Sequence, residues 1–161
     1  MSTLTVKELA APVGFDLVMP AGHIIQVVSF DTPTRTTTSS TSYVTANTGI
    51  SFTPKSASSK ILIQCTMNVH VNGAYCYMSI AKDGTEVTGV SKNGEGLAIF
   101  HDDANFKNQT FQWMEDSGST TARTYSLVFK VSNASYTAYS SWSATADNCT
   151  QNRMIIMEVA G

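Results

Sequence analysis

Charged side chains are scarce: lysine, arginine, aspartate and glutamate make up 14% of the 161 residues, and their formal sum is −2. A surface with so little positive charge has no basic field to hold a phosphate backbone, so nucleic acid is not an expected partner. Long apolar runs are missing as well. None approaches the roughly 20 residues a membrane-crossing helix needs, and no membrane partner is expected. Met1 to Leu17 carries a single lysine, Lys7, and no apolar stretch resembling a secretory leader, so synthesis in a cytoplasm is expected unless a leader was removed. Cysteine is sparse. Cys65, Cys76 and Cys149 are odd in number and share no CxxC spacing, which signals neither a disulfide framework nor a zinc site and leaves core thiols as the expectation. A GxSxG elbow and a phosphate-binding loop are both absent, and no cofactor is expected.

What is present favours strands. Hydrophobic residues make up 42% of the chain, serine and threonine are abundant, and neutral hydroxyls suit strands and tight turns. Residues 1–19 hold Pro12 and a helix-like stretch, Val6 to Ala11, too short to stand alone, and read as an arm before one domain over 20–161. From His23 the run HIIQVVSF is apolar on both faces, which predicts a strand that is central or lies at an interface. Asp31 to Ser42 reads as a loop with an edge strand, Tyr43 to Thr53 as a short strand broken near Gly49, and Pro54 to Ser59 as a turn.

Lys60 to His70 alternates with the period of a half-buried strand, and Asn72-Gly73 offers a turn before a strand over Ala74 to Lys82. Asp83-Gly84 is a hairpin signal. After Thr85 to Val90, a turn cluster and Leu97 to Phe100, His101 to Asn108 reads as a polar loop and Thr110 to Met114 as a strand. Arg123 to Val131 alternates again, Tyr136 to Ala146 reads as a strand, and the closing RMIIMEV is apolar on both faces like the first strand. About eight to ten short strands with frequent turn signals describe an all-β sandwich or barrel. Matching two-sided strands at its ends predict that first and last lie side by side in the middle of one sheet.

Three segments carry a resemblance. They are PAGHIIQVVSF, then TGISFTPKSASSKILIQ, and the terminal MIIMEV. Pro20, Ala21 and Gly22 lead into a strand; Thr53, Pro54, Ser56, Ser58, Ser59, Lys60 and Ile61 make a turn into another; Met157 and Glu158 lie in the last. From Pro20 onward the chain resembles small virion proteins of tailed bacteriophages, especially marine and cyanobacterial ones. The resemblance implies an antiparallel jelly-roll sandwich similar in outline to the tumour necrosis factor and complement globular-head folds, a homotrimer, and a place on the virion, at the capsid surface or the tail. It supplies no catalytic residues. Neither heptads nor short β-helical repeats form a shaft. A capsid decoration or cement protein is therefore expected, held to the major capsid protein by its arm, with Val6, Leu9, Val13, Phe15 and Leu17 as anchoring candidates. A tail-fibre or tail-tip receptor-binding module is the alternative, with a tail protein as its partner.

Tyr75, Tyr77, Tyr139 and Trp142 are candidates for a trimer interface or ligand face, since large aromatics in serine-rich strands do not all fit one core; the competing reading makes them core residues. In a lectin reading, Trp113 or Trp142 stacks on a host surface glycan and Asp102, Asp103 or Asn105 binds its hydroxyls. His101-Asp102-Asp103 lacks a second histidine nearby and reads as a solvated turn. Spacing alone does not make a glycosidase pair from Glu86, Glu95, Glu115 and Glu158. The chain is not expected to be an enzyme.

Overall fold

Alternating side chains account for the longest strands. The structure, a computed structural model, describes residues 20–32, 35–46, 49–87, 95–101, 105–141 and 152–161. Among the described residues there are twelve strands and no helix, so the fold is all-β. In chain order they are β1 (Ile24–Thr32), β2 (Thr36–Thr38), β3 (Val44–Thr45), β4 (Ile50–Phe52), β5 (Lys60–Val71), β6 (Tyr75–Lys82), β7 (Thr85–Glu86), β8 (Ala98–His101), β9 (Lys107–Asp116), β10 (Arg123–Val131), β11 (Ala138–Ser140) and β12 (Asn152–Val159).

Two antiparallel sheets result. In the first, β12 lies between β1 and β5, β9 flanks the other side of β5, and β11 and β2 continue the sheet beyond the end of β12. In the second, β10 has β3 and β4 on one side and β6 on the other, and β6 carries β7 and β8 on its far side. Ile61, Ile63, Cys65, Met67 and Val69 of β5 and Leu127, Phe129 and Val131 of β10 join one buried cluster fed by both sheets. Burial of these side chains, at about 1.5–3 kcal/mol each, is the main favourable term holding the sheets together.

A gap in the first sheet is bridged by a side chain. The β12 pairing ends at Arg153 opposite Thr66, and the β11 pairing begins at Ser140 opposite Val69. Between them the Asn68 amide donates to Asn152 Oδ1 (2.9 Å), and the Asn68 carbonyl accepts from the Ser141 amide (2.7 Å). Asn152 thus replaces a missing ladder bond, which a buried backbone amide needs.

Several expectations hold and several are corrected. Asp83-Gly84 closes the β6–β7 hairpin as a two-residue loop with φ of 50° and 81°, the mirror-image turn that matches strand twist. First and last strands do pair. Yet β1 is at the edge of its sheet, with Ile24 54% and Val27 55% exposed, so it is not central; only β12 is internal. Asn72-Gly73 turns the chain from the first sheet into the second instead of pairing β5 with β6. Cys65 therefore pairs with Met154 and Phe111, and Cys76 with Val131 and Phe100. Both are buried free thiols whose pKa burial pushes up, that of Cys76 to about 12. β9 starts at Lys107, inside the expected loop, because register with β5 overrides its polar sequence. Of the strand expected over Tyr136 to Ala146, the described part is strand at Ala138–Ser140, with Ser141 at φ 68°; residues 142–151, Cys149 among them, lie outside the described residues.

Candidate functional site

Acidic residues on the inward faces are committed to structure. Gln26, Glu158, Ile61 and Glu115 form one row across β1, β12, β5 and β9. Glu158 is fully buried, and its carboxylate accepts bonds from the amides of Lys55 (2.9 Å) and Ser56 (2.9 Å), from Ser59 Oγ (2.6 Å) and from Gln26 Nε2 (2.6 Å). Burial works to raise its pKa, and these donors outweigh burial and hold it below the ordinary carboxylate value. The Thr53-to-Ile61 turn and the Met157-Glu158 pair, remote in sequence, are thus one structural unit.

Glu115 is occupied from the other sheet. It accepts from Lys82 Nζ (2.9 Å), Arg123 Nη1 (3.3 Å) and the Tyr125 hydroxyl. Arg123 also donates to the carbonyls of Ser117 (2.9 Å) and Ser119 (3.1 Å). Burial first, and the bond to Glu115 second, raise the Tyr125 pKa. Glu86 accepts from Ser79 Oγ at 2.5 Å. Glu115 and Glu158, held by three and four donors, lack the free face a general acid or nucleophile requires. Among the described residues, no three His, Cys, Asp or Glu side chains gather as metal ligands.

The outward face of the first sheet has two distinct ends. At one end Val27, Met157, Leu62 and Met114 stand opposite one another on four adjacent strands, an apolar row facing away from the core. Val27 is 55% and Met114 50% exposed. The Lys60–Asp116 ion pair (2.6 Å) borders it on one side; on the other comes the row Ser29, Ile155, Gln64 and Gln112, and beyond it the Arg153–Asp31 pair (2.7 Å). An apolar centre with a charged rim is the anatomy of a protein interface.

At the other end lies a cluster of rings. His70 of β5 and Tyr139 of β11 are cross-strand partners with centroids 5.7 Å apart, and Phe106 stacks on His70 at 5.1 Å. Arg35 lies over Tyr139 at 4.5 Å and over Phe106 at 5.8 Å.

Tyr75 and Tyr77 stand elsewhere, on the outward face of the second sheet. Their rings are 6.3 Å apart, His101 lies 4.2 Å from Tyr75, and Lys130 is over Tyr77 at 5.4 Å. The four aromatic candidates therefore do not form one site: Tyr75 and Tyr77 are together, and Tyr139 is on the other sheet. Trp142, Asp102, Asp103 and the arm candidates Val6, Leu9, Val13, Phe15 and Leu17 lie outside the described residues. Trp113 is not a sugar platform, because it is on the inward face opposite Ile63 and packs against the core.

Arg35, His70, Phe106 and the roles of Glu115 and Glu158 were not anticipated. Glu158 had a signal: it shares inward parity with Met154 and Ile156 in an apolar strand. Arg35 had none, since its partners come from three distant segments. No protein-family model matches this chain, and no curated protein matches it.

Proposed function

We propose that this protein is a non-enzymatic structural protein of a tailed-bacteriophage virion, a homotrimer of jelly-roll subunits that decorates the capsid and is held there by residues 1–19. Strand order supports the jelly roll. Taking the eight principal strands β1, β4, β5, β6, β8, β9, β10 and β12 as first to eighth, one sheet runs first-eighth-third-sixth and the other second-seventh-fourth-fifth. Two interleaved Greek keys produce that order.

The observation that carries assembly is the Val27–Met157–Leu62–Met114 row. Aliphatic and methionine side chains aligned across four strands, half exposed at Val27 and Met114 and partly buried at Leu62 and Met157, favour cover by a neighbouring surface, and copies of the same chain supply it in a closed symmetric oligomer. Engagement of the Pro54–Ser59 turn by Glu158 supports the resemblance, because it makes one unit of two of its three motifs.

Light scattering on the purified protein tests assembly. A mass three times that of the 17.3 kDa chain is expected, and Leu62→Asp with Met114→Lys should give a folded monomer. A wild-type monomer at high concentration refutes the reading. Deleting residues 1–20 should abolish particle binding and leave the trimer intact, and microscopy of labelled particles separates a capsid from a tail location.

A further inference from the structure

We propose that the Arg35 cluster, at the opposite end of the first sheet's outward face from the apolar row, binds a carboxylated saccharide. The inference does not depend on the virion reading. Phe106, His70 and Tyr139 form a row of rings across neighbouring segments, and the Arg35 guanidinium rests on the two outer ones. Ring faces hold a cation from above but do not accept its in-plane N–H bonds. Those donors are unanswered: among the described residues no carboxylate pairs with Arg35, and its Nε is buried without a hydrogen-bond partner.

A guanidinium presents five donors in a fixed fork, and leaving one buried and unpaired is costly. Planar two-oxygen anions match that fork. Among the described residues Arg35 is the one cation seated on these rings, and it matches the single charge of a carboxylate. Thr37 is the cross-strand partner of Tyr139, and Asn68, on the same outward face as His70, has a buried Oδ1 without a donor. A guanidinium fork seated on aromatic rings, with a threonine hydroxyl and an unanswered amide oxygen on the same sheet face, suits a ligand with one carboxylate and several hydroxyls. A uronic or similar acidic sugar at the end of a glycan has that composition.

Titration calorimetry of the whole protein with methyl glucuronide, methyl glucoside, acetate and inorganic sulfate provides the test. Millimolar binding of the glucuronide is expected, with the other three probes at least about tenfold weaker, the loss expected for one charge-assisted pair. Arg35→Gln should weaken glucuronide binding by a similar factor, leaving solution mass and thermal unfolding unchanged. Arg35→Lys should recover only part of it, since an ammonium lacks the fork. Equal binding of the glucoside removes the carboxylate from the proposal. Equal binding of acetate or sulfate reduces the site to a simple anion hole and overturns it, as does unchanged affinity in Arg35→Gln or no glucuronide binding at tens of millimolar. The mass measurement stands apart from all of these, so failure of the sugar site and failure of assembly are separately visible.

Discussion

Replacing Glu158 by glutamine changes one oxygen into an NH₂ and leaves the shape nearly intact. In the wild type four groups donate to this buried carboxylate, two of them backbone amides of the 54–59 turn. Hydrogen bonds to a charged acceptor contribute about 1.5–3 kcal/mol each. Glutamine keeps one acceptor and turns a donor toward the Lys55 amide or Gln26, so roughly two bonds are lost and a loss of about 3 kcal/mol is expected. For a chain of this length that is about 6–12 °C in Tm. Acid gives a second readout. The Glu158 pKa in the folded protein lies below the ordinary 4.5, so its stabilisation is full above that value and is lost as pH falls through the folded pKa. Denaturant unfolding at fixed protein concentration should show a shallower fall below pH 4.5 in Glu158→Gln than in the wild type. A change within about 0.5 kcal/mol, in the range of ordinary surface substitutions, together with an unaltered acid slope, refutes the role given to this carboxylate.

Thiol chemistry gives a further prediction: Cys65 and Cys76 should resist maleimide in the native protein and label on unfolding, read by peptide mass, since both are buried and their thiolates disfavoured. Glu115→Gln should destabilise more than Lys82→Met by denaturant titration, because it leaves Arg123 buried without its carboxylate; Lys82 is one-third exposed and its loss costs about 1 kcal/mol or less. Gly84→Ala should cost about 1 kcal/mol through backbone strain alone, as φ is 81° and nothing stands within 4 Å of the added methyl group; a neutral result would show that the turn relaxes.

Local chemistry was legible wherever one segment carried it. Alternation from Lys60 to His70 gave β5, and the Asp83-Gly84 pair gave its hairpin. Information held between segments was not. Apolar residues on both faces of β1 looked like central cover, but the sheet ends there and leaves Val27 to solvent. The middle of β9 was legible from Thr110 to Met114, but a polar sequence hid its start at Lys107, where strand conformation comes from pairing along β5. At Asn72-Gly73 a turn was readable and its destination was not, because hairpin and sheet crossing use the same residues. The Arg35 cluster draws on positions 35, 70, 106 and 139, each ordinary in its own neighbourhood.

β5 links the two ends of the outward face, with Leu62 in the apolar row and His70 beside the two rings that carry the guanidinium. Eight residues of extended chain separate them, about 26 Å at 3.3 Å per residue, so substitution at one end should leave the other undisturbed. In the proposed trimer, association through the row would place one sugar site on each of three copies. Linked sites strengthen attachment to a multivalent surface by about 10²–10⁴-fold without any new contact. Leu62→Asp with Met114→Lys should therefore keep the wild-type affinity for methyl glucuronide in calorimetry and lose most retention on a surface coated densely with uronic-acid glycans. If the monomer loses affinity for the single sugar as well, the Arg35 site is completed by a neighbouring copy, and the separation of assembly from binding along β5 is wrong.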